Sequence, residues 1–195
     1  MRPVFLLILV VFGLLVAVSG CNTHNNFVAS DENVGAVWAD VEAQYQRRAD
    51  LIPNLVSTVK GAADFEQETL TAVTQARSRA TQVTIDPSKV TPEQLAEFQS
   101  AQGELSQALG RLLMVSENYP QLRATEAFRD LQAQLEGTEN RITVARQRFN
   151  DAAREYNVQV RSFPANFWAG LFGFEKKPMF EAKEGSEDAP EVNFD

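Results

Sequence analysis

From Phe128 to Val160 the chain sets Phe128, Leu131, Leu135, Thr138, Ile142, Ala145, Phe149, Ala152, Tyr156 and Val160 at alternating steps of three and four. Residues so spaced share one face of a helix. A stripe held near 3.5 residues over this length needs a second stripe to bury it at a shallow crossing angle, as in a bundle or coiled coil. Two other segments supply one. The first runs from about Asn33 to Ala80 through Trp38, Val41, Tyr45, Arg48, Ile52, Leu55, Val59 and Ala62, then Glu66, Thr69, Val73, Ala76 and Ala80. The second carries Phe98, Ala101, Leu105, Ala108, Leu112, Val115 and Tyr119. No segment alternates as a strand would. The expected fold is all-α, an antiparallel bundle of three long helical segments.

Local signals mark where these segments start, bend and stop. Pro53 has no N–H and crowds the carbonyl of Ala49, so the first segment is expected to kink near Asp50 to Pro53 or break there into two helices. Ser30 to Asn33 offers capping oxygens at its start. Thr81 to Val90 reads as a loop with an Asp86-Pro87 turn. Thr91-Pro92-Glu93-Gln94 reads as a capping box with proline in the first turn. Tyr119-Pro120 ends the second segment, and the third starts between Pro120 and Thr125.

The N-terminus is of another kind. Met1-Arg2-Pro3 precedes an apolar run, and Val18-Ser19-Gly20-Cys21 has the form of a lipobox ending at the only cysteine. A short cationic start, an apolar core and a small-residue site make a secretory signal. Residues 1–20 are therefore read as a lipoprotein signal, with Cys21 as the lipidated residue. Val4 to Gly20 is also at the lower edge of what spans a bilayer, so an uncleaved single-pass anchor is the alternative. Arg2 lies before the run, and no Lys or Arg follows until Arg47. The positive-inside rule then keeps the N-terminus in the cytoplasm and the domain outside. Residues 21–32 read as a flexible tether, with the lone histidine, His24, as a solvated linker residue. Residues 33–181 form the domain, and residues 182–195 read as an acidic, disordered tail.

Several separated motifs resemble the signature of the LemA family of bacterial membrane-anchored proteins. They are Gln44 to Val56 with Val59-Lys60-Gly61, Glu117-Asn118-Tyr119-Pro120, and Glu136 to Ile142. Arg148-Phe149-Asn150, Tyr156-Asn157, Gly173-Phe174 and Phe180-Glu181 complete the set. The resemblance covers about Val34 to Glu181. It implies a long-helix antiparallel bundle behind an N-terminal membrane segment. It implies no reaction, because the family's biochemical activity is not established. The family is often drawn with an uncleaved N-terminal helix and a cytoplasmic domain, whereas the lipobox and the charges of this chain place the domain outside.

Composition narrows the chemistry. Net charge is −8, and losing Arg2 with the signal makes it −9. Nucleic acid binding needs a basic face, so it is not expected. With Cys21 used as an anchor, the domain has no thiol for disulfides, metal or nucleophilic catalysis. Without a domain histidine, neither a Glu-x-x-His di-metal site nor a Ser-His-Asp triad can be built. No cofactor, metal or catalytic residue is expected, and the chain is read as a non-enzyme.

Two residue groups remain as candidate sites. Arg48 and Glu66 fall on the apolar stripe of the first segment and Thr138 on that of the third. Buried charge requires a partner. Arg47, Arg48, Asp50, Glu117, Glu139, Asn140 and Arg141 are therefore read as a polar cluster between helices or a docking site, with Arg48–Glu139 as the specific pairing. Phe167, Trp168, Leu171 and Phe172 are expected to cover the open end of the bundle core; the alternative is contact with lipid or a partner. The functional expectation is a membrane-anchored scaffold or adaptor at the cell envelope, binding an unknown envelope protein. A small-ligand or peptide site between helices near Pro53 is the alternative, and an unrecognised carboxylate enzyme ranks below it. The stripes would also serve pairing between copies as a homo-oligomer.

Overall fold

The computed structural model describes residues 2–61 and 65–181. Six helices follow one another: α1 Arg2–Lys60, α2 Gln67–Gln82, α3 Pro92–Ser116, α4 Pro120–Ala124, α5 Glu126–Arg161 and α6 Ala165–Phe172. No strand occurs among the described residues. The all-α bundle expected from the stripes is the observed fold. α1 and α5 pack antiparallel as its spine, and α2 and α3 form an antiparallel hairpin laid along it.

Every member of the α5 stripe from Phe128 to Val160 is buried. On α1, Trp38, Val41, Tyr45, Arg48, Ile52, Leu55 and Val59 are buried in the same rhythm. Trp38 meets Phe149 edge-on, with ring centroids 5.1 Å apart. The α3 stripe differs from its sequence reading. Phe98, Leu105 and Leu112 are buried as expected, but Gln102, Leu109 and Ser116 fill the steps between them. Ala101, Ala108 and Val115 lie only partly buried, one residue away. The register is set by what Gln102 bonds to.

Two of the capping signals hold, and the one at Ser30 to Asn33 is corrected, because α1 already runs through these residues from Arg2. Thr91 and Gln94 form the reciprocal box at the start of α3. Thr125 Oγ1 accepts from the Phe128 N–H and starts α5. The Asp86-Pro87 turn is closed by Asp86, whose Oδ1 accepts from the N–H and the hydroxyl of Ser88.

Two further expectations about α1 are corrected. The helix runs through Pro53 and ends at Lys60, so it does not break into two helices at the proline, and the first stripe is divided before α2 instead; Ala62 lies outside the described residues. Pro53 has no N–H for the Ala49 carbonyl. Arg77 on α2 replaces it: its Nε donates to Ala49 O at 2.8 Å. Glu66 consequently leaves the stripe. It is exposed, precedes α2 as its N-cap residue, and accepts a bond from Thr69 Oγ1. The second correction concerns residues 21–32, which continue α1 without interruption. Phe27 is 1% exposed, and His24 is half-buried with its ring 4.9 Å from Phe172 and 5.6 Å from Phe174. The tail assigned to residues 182–195 lies outside the described residues.

Beyond α6, Gly173 adopts φ 77°, a left-handed conformation that suits glycine, and turns the chain out of the helix. An extended strap follows to Glu181. Two asparagines one heptad apart on α5 clamp its backbone. Asn157 accepts from the Lys177 N–H and donates to its carbonyl, both at 2.8 Å. Asn150 does the same for Phe180, at 2.8 and 2.9 Å. The strap thereby presses Phe180 onto Trp38 and Phe149.

Arg77→Ala should destabilise the chain by about 1–2 kcal/mol, the cost of leaving one carbonyl without a donor. In a Pro53→Ala background the same change should cost well under half as much, because removing the proline restores a helical N–H to the Ala49 carbonyl. Urea titrations of the four variants followed by circular dichroism check this. Asn157→Asp places a carboxylate oxygen against the Lys177 carbonyl. It should cost about 2 kcal/mol, because the donor bond is lost and the Lys177 carbonyl is left facing an anion, and speed amide exchange at residues 177–180.

Candidate functional site

The core is two apolar clusters rather than one. One joins Phe27, Trp38, Phe98, Phe149 and Tyr156 near the N-terminal end of the spine. The other joins Ile52, Leu55, Leu105, Leu112 and Phe128. A polar layer lies between them. Arg48 is 2% exposed and reaches across from α1. Its Nη1 donates to Ser106 Oγ at 2.8 Å and forms an ion pair with Glu139 Oε2 at 2.9 Å. Its Nη2 donates to Gln102 Oε1 at 2.6 Å. Gln102 Nε2 in turn donates to Ala80 O at 3.1 Å, one of the carbonyls left open at the end of α2. One guanidinium therefore ties together α1, α3 and α5, and through Gln102 the end of α2. Its carbon also lies 5.2 Å from the Tyr45 ring centroid. Burial pushes the Tyr45 phenol up, partly offset by Arg146 and Arg48 beside it. Thr138 belongs to the layer but satisfies itself, donating to Gln134 O at 2.7 Å.

The structure thus brings together Arg48 and Glu139 of the expected polar cluster and leaves the others apart. Arg47 and Asp50 are exposed, because neighbouring helix positions point about 100° away. Asp50 accepts from Gln46 Nε2 at 2.7 Å. Glu117 follows the last turn of α3 and is exposed. Asn140 and Arg141 face outward beside Glu139. They line an open groove of about 370 Å³ along the α1–α5 seam with Asp40, Gln44, Val144 and Arg148. Among the described residues no hydrogen bond or ion pair engages Arg47, Arg141 or Arg148.

The aromatic patch also divides. Ala169 is buried on the core, and Trp168 packs against its edge. The indole lies so close to Gly20 that a Cβ there would meet ring carbons at 2.9 Å. Phe167 and Leu171 point away, 67% and 64% exposed, and Phe172 is 41% exposed. Of the four residues expected to cover the bundle end, Trp168 packs on the core, joined by Ala165, Ala169 and Phe174, and Phe172 lies against Trp168 and His24. Exposed Phe163, at 87%, adds to the outward face and was absent from the sequence reading.

A second polar node was missed as well. Lys177 is 8% exposed. Its Nζ pairs with Asp31 at 2.8 Å and donates to Pro87 O and Ser88 O. It joins α1, the α2–α3 loop and the strap, and sits 5.6 Å from the Tyr156 ring centroid. Burial, with Asp31 and Glu175 adding, pushes the Tyr156 phenol up to about 12. The folded value lies above the ordinary 10, so the protonated phenol stabilises the fold fully below pH 10, and that contribution is lost as pH rises towards 12. The near-invisible signal was Asp31, which keeps the three- and four-residue rhythm between Phe27 and Val34.

A groove of about 400 Å³ does lie beside Pro53, lined by Ile52, Val56, Ser57, Lys60, Thr74 and Arg77. It is shallow, and its Arg77 Nε is already bonded to Ala49 O. Among the described residues no group of three His, Cys, Asp or Glu side chains could hold a metal ion. The N-terminal part of α1 is long and apolar enough to cross a membrane, and its side chains from Phe5 to Val18 are exposed.

A sequence profile described as "LemA family" matches residues 37–194. The magnetosome protein MamQ 2 of Paramagnetospirillum magneticum is 27% identical over 181 residues, covering 82% of this chain and 65% of its own length. The protein LemA of Metamycoplasma hominis is 24% identical over 144 residues, covering 74% of this chain and 62% of its own. The chain thus spans a little under two thirds of these curated relatives.

Arg48→Ala should cost about 3 kcal/mol, the low end for breaking a buried ion pair. In a double-mutant cycle with Glu139→Gln the coupling should be about 1 kcal/mol, reduced because Glu139 is half exposed. Additive losses in urea unfolding would count against the pairing. Absorbance at 295 nm should show one tyrosine ionising last, near pH 12, and Tyr156→Phe should remove it.

Proposed function

The chain belongs to the LemA family, and on that premise we propose that it is a membrane-anchored, non-catalytic scaffold or adaptor of the cell envelope. It acts by protein–protein contact. The observation that carries this reading is the α1–α5 seam. There, Arg141 and Arg148 line a groove with one acidic residue, Asp40, and Arg47 stands exposed on α1, while Arg48 and Glu139 are spent on holding the bundle together. A groove with two arginines to one aspartate, on a chain of net charge −8, favours an acidic partner segment. The groove sits on α5 packed against α1, and α1 runs directly into the apolar N-terminal segment, so a docked partner is held at a set distance from the membrane.

For the anchor, the lipobox form of Val18 to Cys21 supports lipidation at Cys21, whose thiol is exposed. The absence of positive charge between Cys21 and Arg47 supports an exported domain. One observation favours an uncleaved single-pass anchor instead: α1 passes through Gly20-Cys21 without a break. Intact mass of protein taken from its native membrane separates them. Lipidation gives a chain lacking residues 1–20 with added acyl mass, lost in Cys21→Ala; a single-pass anchor keeps the full mass.

Arg141→Glu with Arg148→Glu should lower capture of partners by photo-crosslinker placed at position 144 at least fivefold, with the thermal midpoint within about 2 °C of wild type, as expected for surface changes. Unchanged capture would remove the seam as the docking face.

A further inference from the structure

Residues 162–174, Ser-Phe-Pro-Ala-Asn-Phe-Trp-Ala-Gly-Leu-Phe-Gly-Phe, carry no charge, although Arg161 and Glu175 flank them. Within them α6 turns Ala169 and Trp168 inward and leaves Phe167 and Leu171 more than 60% exposed, as is Phe163 just before it. An uncovered aromatic face of this kind on a short helix needs an occupant. Its position on α1 identifies one. Trp168 lies against Gly20, and Phe172 lies against His24. The continuous run of exposed large apolar side chains on α1 ends at Val18. At about 1.5 Å per residue, Pro3 to Gly20 is roughly 27 Å long, close to the thickness of a bilayer's hydrocarbon core. α6 therefore stands where that core would end on the domain side, with its exposed apolar side chains beside the last turns of the apolar run of α1.

We infer that α6 is an interfacial helix, which lays Phe163, Phe167 and Leu171 into the lipid surface beside α1 and fixes how the bundle stands on the membrane. Aromatic side chains favour this depth, where an apolar ring meets hydrocarbon and nearby polar groups stay wet. The absence of charge from Ser162 to Phe174 removes the cost of desolvating one there. The inference rests on anchoring through the N-terminal segment and applies equally to an acylated Cys21, which lies on α1 one residue beyond Gly20. It differs from anchoring itself: a single helix fixes depth but leaves the domain free to tilt, and a second contact removes that freedom.

The test is tryptophan quenching by bromine in the full chain, reconstituted into phosphatidylcholine vesicles brominated at acyl carbons 6 and 7 or 11 and 12. Co-flotation reports anchoring separately. Trp168 emission should fall at least twofold with the shallow bromines and less with the deep ones. Trp38→Phe should keep that quenching, and Trp168→Phe should abolish it. Phe167→Asp with Leu171→Asp should at least halve it while co-flotation persists. Co-flotation without quenching, or quenching indifferent to the double aspartate change, overturns the inference and leaves the anchor standing. Crosslinking between copies through Leu171→Cys in a Cys21→Ala background, with no quenching, assigns the face to a second chain instead. Loss of both flotation and quenching removes anchor and inference together.

Discussion

A guanidinium sunk between two apolar clusters holds the bundle in register. Arg48 has water on almost no side, so its charge must be met by protein. Glu139, Gln102 and Ser106 meet it from α5 and α3, and Gln102 passes the connection on to the open end of α2. Sliding any of these helices by one turn would bury the cation against leucine. Apolar stripes specify a face but tolerate such slips, because one leucine contact resembles the next. The polar layer supplies the discrimination that the stripes lack, and it explains why α3 presents Gln102 rather than Ala101 to the core.

The same logic recurs wherever the backbone departs from helix. Pro53 removes a donor, and a side chain from the next helix restores it. α2 ends with an open carbonyl, and Gln102 closes it. The strap has no sheet to join, and Asn150 and Asn157 stand in for the neighbouring strand by giving each clamped residue a donor and an acceptor. Arg77 and Gln102 lie outside the quoted motifs, whereas Asn150 and Asn157 lie within them. Arg148-Phe149-Asn150 and Tyr156-Asn157 supply the two halves of one clamp, Asn150 holding Phe180 and Asn157 holding Lys177.

The polar repairs also organise what faces outward. With Arg48 and Glu139 committed to the core, their neighbour Arg47 is turned outward and Asn140 and Arg141 to the seam groove, because adjacent positions on a helix cannot share a face. With Trp168 and Ala169 committed to α1, Phe167 and Leu171 are turned away. Both candidate contact surfaces are thus the reverse sides of structural contacts. One sits on the helical spine, and the other beside the N-terminal apolar segment.

The sequence by itself determined the helices of the spine and the faces they bury. Phe128 to Val160 and Trp38 to Val59 are written in large apolar residues whose burial depends on period alone. The caps at Thr91 and Thr125 were readable for a like reason, since their partners lie within four residues. It also identified Arg48 and Glu139 as a pair, because a charge on an apolar stripe demands one. What only the tertiary structure decided is where a stripe is written in other letters. From Gly20 through His24, Phe27 and Asp31 to Val34 the rhythm of α1 continues unbroken, yet the segment reads as polar tether. Gly20 is an apolar position only because Trp168 lies on it, His24 because Phe172 and Phe174 flank it, and Asp31 because Lys177 neutralises it. Those partners are more than a hundred residues away, and no local pattern can announce a burial that a distant side chain creates.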